Sequence, residues 1–169
     1  METVDRYESP MGTLWLTGTE GILTGLSFSH PGGDYAPGSF DAAKHWLDDY
    51  FQGIPREIEF PLSPKGTAFQ KLIWNLLLEI PYGETATYGE QARRAAAELG
   101  REKMSAQAVG QAAHRNPIAI IIPCHRLVGA GGNLTGYASG LDRKRWLLNH
   151  EQEEQKCNLR SSDISKQNG

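Results

Sequence analysis

The chain has 169 residues, with 17 Lys and Arg against 20 Asp and Glu, a formal net charge of −3. This length fits one ordinary domain or two small ones, and it is ample for a core without disulfides or metals. The balance excludes a strongly basic chain, and the longest apolar run is far short of a membrane span.

Divided along the chain, the charge is uneven. Residues 1–81 carry 5 basic against 11 acidic side chains, residues 82–149 carry 9 against 5, and residues 150–169 carry 3 against 4. The middle segment is therefore locally basic, which suits a polyanionic partner and equally suits a solvated surface. Only Cys124 and Cys157 occur, in such different settings that they do not resemble a disulfide framework. That favours a reducing cytoplasm. The start, Met1-Glu2-Thr3-Val4-Asp5-Arg6, has no apolar core of a secretion signal.

Residues 7–28 alternate like short strands around turns, with Leu14-Trp15-Leu16 after Met11-Gly12 and Ile22 to Phe28 after Glu20-Gly21. Ser29 to Ser39 is rich in Gly and Pro and reads as a loop. Ala42 to Gln52 reads as a helix with Trp46, Leu47, Tyr50 and Phe51 on one face and Gly53 past its end. Phe60 to Gly66 contains two prolines and a glycine, and it reads as a linker. The expected domains are residues 1–63 and 64–151. Residues 152–169 form a polar, aperiodic tail expected to be disordered.

The second half opens with a capping box, Thr67-Ala68-Phe69-Gln70, ahead of Leu72, Ile73, Leu76, Leu77 and Ile80 at helical spacing. A second box, Thr87-Tyr88-Gly89-Glu90, starts a helix running to about Leu99. Ser105 caps a third, Ala106 to about His114, and the pair forms a candidate helix-turn-helix. Two packed helices of any globular domain would show the same pattern. The third helix carries Ala106, Ala108, Gly110, Ala112 and Ala113, with Gln107, Gln111 and His114 as its long side chains. A major-groove reader needs long donors. A smooth helix suits close approach to a backbone or to the narrow minor groove. Asn116-Pro117 stops it, and the run Ile118 to Ile122 reads as a buried strand leading to Pro123-Cys124-His125-Arg126. Asp142 to about His150 is a last helix.

A thiol beside an imidazole where a buried segment meets a loop is a way to present a nucleophile, because cysteine attacks as thiolate and a neighbouring base lowers its pKa. A core cysteine of no chemical role fits the pair equally well. The five histidines show no ligand spacing, so no metal is expected. Gly129-Ala130-Gly131-Gly132-Asn133-Leu134 lacks the last glycine of a dinucleotide fingerprint, and there is no Walker A pattern, so no nucleotide cofactor is expected either.

Ile122-Pro123-Cys124-His125-Arg126, the preceding Asn116-Pro117, the following Gly136-Tyr137 and the run Lys144, Trp146-Leu147-Leu148, His150-Glu151 resemble the O6-alkylguanine-DNA alkyltransferase family. Ser9-Pro10-Met11-Gly12 and Tyr50-Phe51-Gln52-Gly53 extend the likeness through nearly the whole chain. The resemblance implies an α+β, two-domain architecture. A small N-terminal antiparallel sheet with a helix is ribonuclease H-like. A C-terminal helical domain carries the helix-turn-helix in a winged-helix-like setting, together with an active-site strand.

It also implies a role for each matching position. Cys124 would be the nucleophile and permanent alkyl acceptor. His125 would take the thiol proton through a water, Glu151 would hold and polarise that histidine, and Asn116 would be the hinge bonding the active-site turn. Tyr88 would press on the DNA backbone and donate to a flipped base. Tyr137, with the backbone at Leu127 and Ala138, would line the guanine pocket, and Lys144 would complete the substrate set. Double-stranded DNA would be met by Thr87, Tyr88, Ser105, Ala106, Gln107, Gly110, His114, Arg115 and Arg126. For Tyr137 a purely core role stays open, and for Lys144 a helix-surface charge.

The implied reaction is displacement at an sp3 carbon on O6 of guanine, or on O4 of thymine as an open second substrate. The base would be flipped into a pocket. A thioether product implies one turnover, no cofactor, and a monomer with no obligate protein partner. A damage-binding relative without chemistry and a Cys-His hydrolase are the alternatives, and catalytic turnover would single out the latter.

Two positions depart from the family pattern. Where the family carries an arginine that replaces the flipped nucleotide, this chain has Gln107. The connection from Tyr88 to that helix is also about five residues longer than in the best-known members. Glutamine keeps a hydrogen bond but loses charge and guanidinium stacking. Gln107→Arg is therefore expected to tighten DNA binding and speed repair by roughly ten-fold at low salt. Filter binding and single-turnover repair would test this, and unchanged values of both would refute it.

Overall fold

The structure is a computed structural model, and it describes residues 2–134, 136–137 and 140–153. Strands β1 (Thr3–Ser9), β2 (Gly12–Thr19) and β3 (Ile22–Ser27) form an antiparallel meander. Leu14 and Leu16 of β2 and Leu23 and Leu26 of β3 face the core. Strand β1 thus begins earlier than the sequence pattern shows. A two-residue strand β4 (Asp34–Tyr35) pairs parallel with Thr3 and Val4, completing the sheet order β3-β2-β1-β4. The Gly- and Pro-rich segment expected to be only a loop therefore contains an edge strand. It is too short to leave a periodic signal.

Helix α1 (Asp41–Phe51) buries Ala43, Leu47 and Tyr50 in one core cluster with the sheet leucines. It ends before Gly53, whose φ of +81° is open to glycine at little steric cost. The fully buried Asp5 fastens this half. Its carboxylate pairs with Lys44 at 2.7 Å and accepts from the backbone amides of Arg6 and Gly38. Burial alone would raise the carboxyl pKa. Lys44 and the two amides outweigh that and hold it below its usual value.

The chain from Phe60 to Gly66 is not a free linker. Leu23 N donates to Pro61 O at 3.0 Å, and Ser63 N donates to Leu23 O at 2.8 Å, so the segment covers one stretch of the β3 edge. A second segment covers the next stretch. Leu26 N donates to Pro117 O at 2.9 Å, and Ala119 N donates to Leu26 O at 3.0 Å.

The second half is helical, with α2 (Ala68–Leu78), α3 (Tyr88–Leu99), α4 (Ala106–His114) and α5 over residues 141–153. Both capping boxes form, Thr67 with Gln70 and Thr87 with Glu90, and the Ser105 hydroxyl accepts from Ala108 N. Gly100 closes α3 in the left-handed region at φ +66°. Trp74 Nε1 donates to Ala112 O at 2.9 Å, tying α2 to α4 across the core. Strands β5 (Ala86–Thr87) and β6 (Leu127–Val128) pair parallel and bring the segment after Cys124 beside the start of α3.

The run Ile118 to Ile122 is buried, as its composition requires, but it is not a strand. Ile120 has φ +69°, Ile121 N donates to Ala119 O, and Ile122 N donates to Ile118 O. The segment is thus a succession of tight turns, and the expected active-site strand is replaced by a coiled loop. Apolar composition alone cannot distinguish the two. The tail beyond Glu153, including Cys157, lies outside the described residues, as does Ala138.

Removing the first capping box tests how α2 is started. Thr67→Ala is expected to lower stability by about 1 kcal/mol, read as a lower midpoint in urea with an unchanged slope.

Candidate active site

Cys124 opens a single 3-10 turn, Cys124–Arg126, directly after the coiled loop. Asn116 sits at the end of α4 and closes that loop. Its Nδ2 donates to Ile122 O at 2.8 Å and to Cys124 Sγ at 3.2 Å, while its Oδ1 accepts from Ile118 N at 3.0 Å. The thiol is 8% exposed. Burial pushes its pKa up to about 11, against the opposing pull of the Asn116 hydrogen bond and the Lys144 charge.

His125 and Glu151 are both buried, and Nε2–H of the imidazole donates to Glu151 Oε2 at 2.5 Å. With Nε2 committed to a carboxylate, Nδ1 is the ring's basic atom; it is buried and has no hydrogen-bond partner among the described residues. Burial lowers the pKa of His125. Glu151 opposes this, while Arg126 and Lys144 add to it. Glu151 itself stays far below the usual carboxylate range. Burial would raise it, but His125 and Arg126 outweigh that.

Lys144 reaches back from α5 as a fully buried side chain, so it is not a helix-surface charge. Its Nζ donates to Leu127 O at 2.5 Å and to Gly136 O at 3.3 Å, and it lies 5.8 Å from the Tyr88 ring centre. Burial lowers its pKa to about 8, with Cys124 acting in the opposite direction.

A cavity of about 1090 Å³ opens at the thiol. Tyr88, Gly136, Tyr137 and Cys124 line its inner end, and α4 with Arg115 forms one long wall. Ala106, Gln107, Gly110 and His114 are on that wall, so with Tyr88 and Arg115 six of the residues expected to meet DNA face one space. The small residues of α4 have a packing reason as well. A Cβ on Gly110 would come within 3.4 Å of the Tyr88 ring, so the glycine lets that ring lie against the helix. Thr67, Phe69 and Gln70 at the start of α2 form a further wall that the sequence reading did not include.

Other expected residues sit elsewhere. The Thr87 and Ser105 hydroxyls cap their own helices and do not line the cavity. Leu127 is fully buried behind it. Arg126 must be corrected outright. Its guanidinium is buried, with Nε donating to Glu151 Oε1 at 2.8 Å and Nη1 to Ile80 O at 2.6 Å, so it has no charge to offer a phosphate. The resemblance implies a DNA contact here, and the partners that bury the side chain, Glu151 and the Ile80 carbonyl, lie far off in sequence. Tyr50 and the Gly83 amide, which also bind Glu151, were missed. The helical pattern marks Tyr50 as core, and nothing in it reveals where the hydroxyl goes.

The sequence model of the 6-O-methylguanine DNA methyltransferase DNA binding domain matches residues 68–153, and that of the family's ribonuclease-like domain matches residues 5–64. The chain belongs to this methyltransferase family. A methylated-DNA–protein-cysteine methyltransferase of Methanosarcina acetivorans is 48% identical over 153 residues, covering 86% of this chain and 95% of its own. Its counterpart in Mycobacterium tuberculosis is 45% identical, covering 85% and 88%. The crystal structure of Mycobacterium tuberculosis OGT in complex with DNA superposes with a TM-score of 0.82 at 43% identity, over 90% of this chain and 94% of that one. The likeness spans both halves of the fold, so the family's two-domain layout holds here.

A thiol held near pH 11 is mostly protonated at neutral pH. In a Cys157→Ser background, labelling of Cys124 by iodoacetamide is expected to be slow at pH 7 and to rise with pH. Asn116→Ala removes a donor to sulfur, so labelling should fall by roughly ten-fold at fixed pH. Peptide mapping by mass spectrometry gives both rates.

Proposed function

We propose that this chain repairs DNA by direct reversal, moving the alkyl group of O6-alkylguanine irreversibly onto Cys124. The supporting observation is the line Asn116, Cys124, His125 and Glu151, the last three buried, at the end of a cavity walled by α4. The duplex meets α4, whose small side chains suit close approach at the minor groove. The alkylated base leaves the stack and enters the cavity beside Tyr88 and Tyr137.

The chemistry then follows from the geometry. The thiol proton passes to His125 Nδ1, bridged by a water, and Glu151 stabilises the imidazolium while keeping its own charge. Sulfur attacks the alkyl carbon, the C–S bond forms as the C–O bond breaks, and the electron pair returns to guanine. Tyr88 donates to the departing base, and the proton first taken from the thiol balances the restored guanine. Lys144 places positive charge behind the sulfur, which favours thiolate. No group among the described residues of the site can cleave the thioether, so each molecule acts once and no cofactor is needed.

The N-terminal domain spans residues 1–63, and the DNA-binding and acceptor domain spans 64–151. The chain works as a monomer in the cytoplasm. Among the described residues no helix is long and apolar enough to cross a membrane.

Mixing the protein with an oligonucleotide carrying one O6-methylguanine is expected to add one methyl group to Cys124 and then stop. Cys124→Ser should bind the DNA and take up nothing. Intact-mass measurement with peptide mapping decides this, and continued turnover or an unmodified Cys124 would overturn the proposal.

A further inference from the structure

Among the described residues the Glu151 carboxylate accepts four hydrogen bonds, two on each oxygen. Oε1 takes Arg126 Nε at 2.8 Å and Gly83 N at 3.1 Å. Oε2 takes His125 Nε2 at 2.5 Å and the Tyr50 hydroxyl at 2.7 Å. Three of these donors belong to the helical half. Tyr50 comes from α1, 101 residues away in sequence, and shares the very oxygen that holds the imidazole.

We infer that Tyr50 is a positioning residue of the alkyl-transfer site, through which the N-terminal domain sets both the orientation and the charge of the Glu151 oxygen facing His125. The inference rests on the repair reading above and adds to it a part played by the sheet domain.

The Tyr50 ring is held from several sides. Trp46 stacks on it at 5.5 Å, Tyr82 meets it edge-on at 5.8 Å, and His150 packs at 5.3 Å while donating through Nε2 to Tyr50 O at 2.8 Å. Packing alone would be served by phenylalanine, because a buried hydroxyl is costly unless it finds a partner. Burial, with Glu151 adjoining, holds the phenol far above its ordinary pKa, so it remains a donor and never a counter-charge.

A hydrogen bond to a carboxylate oxygen withdraws charge from it. Tyr50 therefore tempers the pull of Glu151 on His125. It helps keep the imidazole neutral and able to accept a proton, while fixing the oxygen that fixes the ring. The other groups facing this pair are Arg126 and Cys124 on its own segment, Lys144 on α5, Tyr82 on the turn after α2, and His150 behind Tyr50. The positive neighbours, Arg126 and Lys144, also disfavour imidazolium, so Tyr50 acts in the same direction as they do.

The test is a pair of pH profiles for wild type and Tyr50→Phe. One is the single-turnover rate of methyl uptake from O6-methylguanine DNA, and the other is the NMR titration of the His125 ring in unalkylated protein. Removing the hydroxyl should move the His125 titration and the acidic limb of the rate to higher pH. On that limb the rate at fixed pH should fall roughly three- to ten-fold. A purely structural role would lower the rate by one factor at every pH and leave the titration in place, and that result would overturn the inference.

Placing 3,5-difluorotyrosine at position 50 strengthens the donor without emptying the core, and should move both curves the other way. This second variant keeps the test open if Tyr50→Phe folds poorly, and an unmoved titration there is equally fatal. A wild-type protein that takes up no methyl group would remove the repair reading. The ring titration would still judge Tyr50.

Discussion

The rest of this molecule depends on one buried ionised carboxylate. An unpaired charge at the position of Glu151 would be prohibitively costly, and four converging donors are what make it tolerable. The four donors come from three parts of the chain: α1, the turn after α2, and two successive residues of the 3-10 turn. Satisfying the charge therefore assembles those parts. A carboxylate that must be fully solvated by protein is a demanding template, because losing one donor leaves a lone pair in an apolar surrounding. The orientation of the His125 ring is thus tied to the energetics of Glu151.

A second constraint works from the other side of the sulfur. The segment from Asn116 to Cys124 carries an isoleucine at φ +69°, a conformation that costs a β-branched residue strain and persists only where surroundings over-determine it. Those surroundings are visible. The β3 edge grips Pro117 and Ala119, and Asn116 ties both ends of the coil with one side chain. The same Asn116 nitrogen then touches sulfur. The N-terminal half accordingly reaches the site twice, through the β3 backbone, which holds the coil next to Asn116, and through the Tyr50 hydroxyl of α1, which binds Glu151.

These two constraints explain which features were legible in the sequence. Capping boxes at Thr67 and Thr87, the Ser105 cap and the glycine stops at Gly53 and Gly100 are local, so their signals lie within four residues of their effects. The nucleophile and its partners could be named because Ile122-Pro123-Cys124-His125-Arg126 with Asn116 and Glu151 resembles a known family. Long-range partners were another matter. Ile118 to Ile122 reads as strand because burial and apolarity are recorded in its composition and φ is not. Arg126 reads as a DNA contact because its partners, Glu151 and the Ile80 carbonyl, lie far off in sequence. Tyr50 reads as core, and the ring is core. Its hydroxyl binds Glu151, and no periodicity encodes that.

The buried thiol raises an apparent conflict. A thiol whose pKa is pushed up to about 11 is a poor nucleophile at neutral pH, although attack is the role proposed for it. The conflict dissolves once the product is considered. A thioether cannot be reversed by any group at this site, so each stray encounter with a small electrophile would end a molecule's usefulness. A protonated, shielded sulfur is protected against such encounters, and the means of releasing its proton are already in place. His125 offers a basic Nδ1, Glu151 stands ready for the imidazolium, and the Lys144 charge lies behind the sulfur. Filling the cavity with a base excludes water and strengthens each of these interactions together, since their worth rises as the local dielectric falls. On the proposed mechanism, reactivity is therefore conditional on an occupant that fits between Tyr88, Tyr137 and α4. Burial, which opposes the thiolate in the resting protein, becomes the source of selectivity.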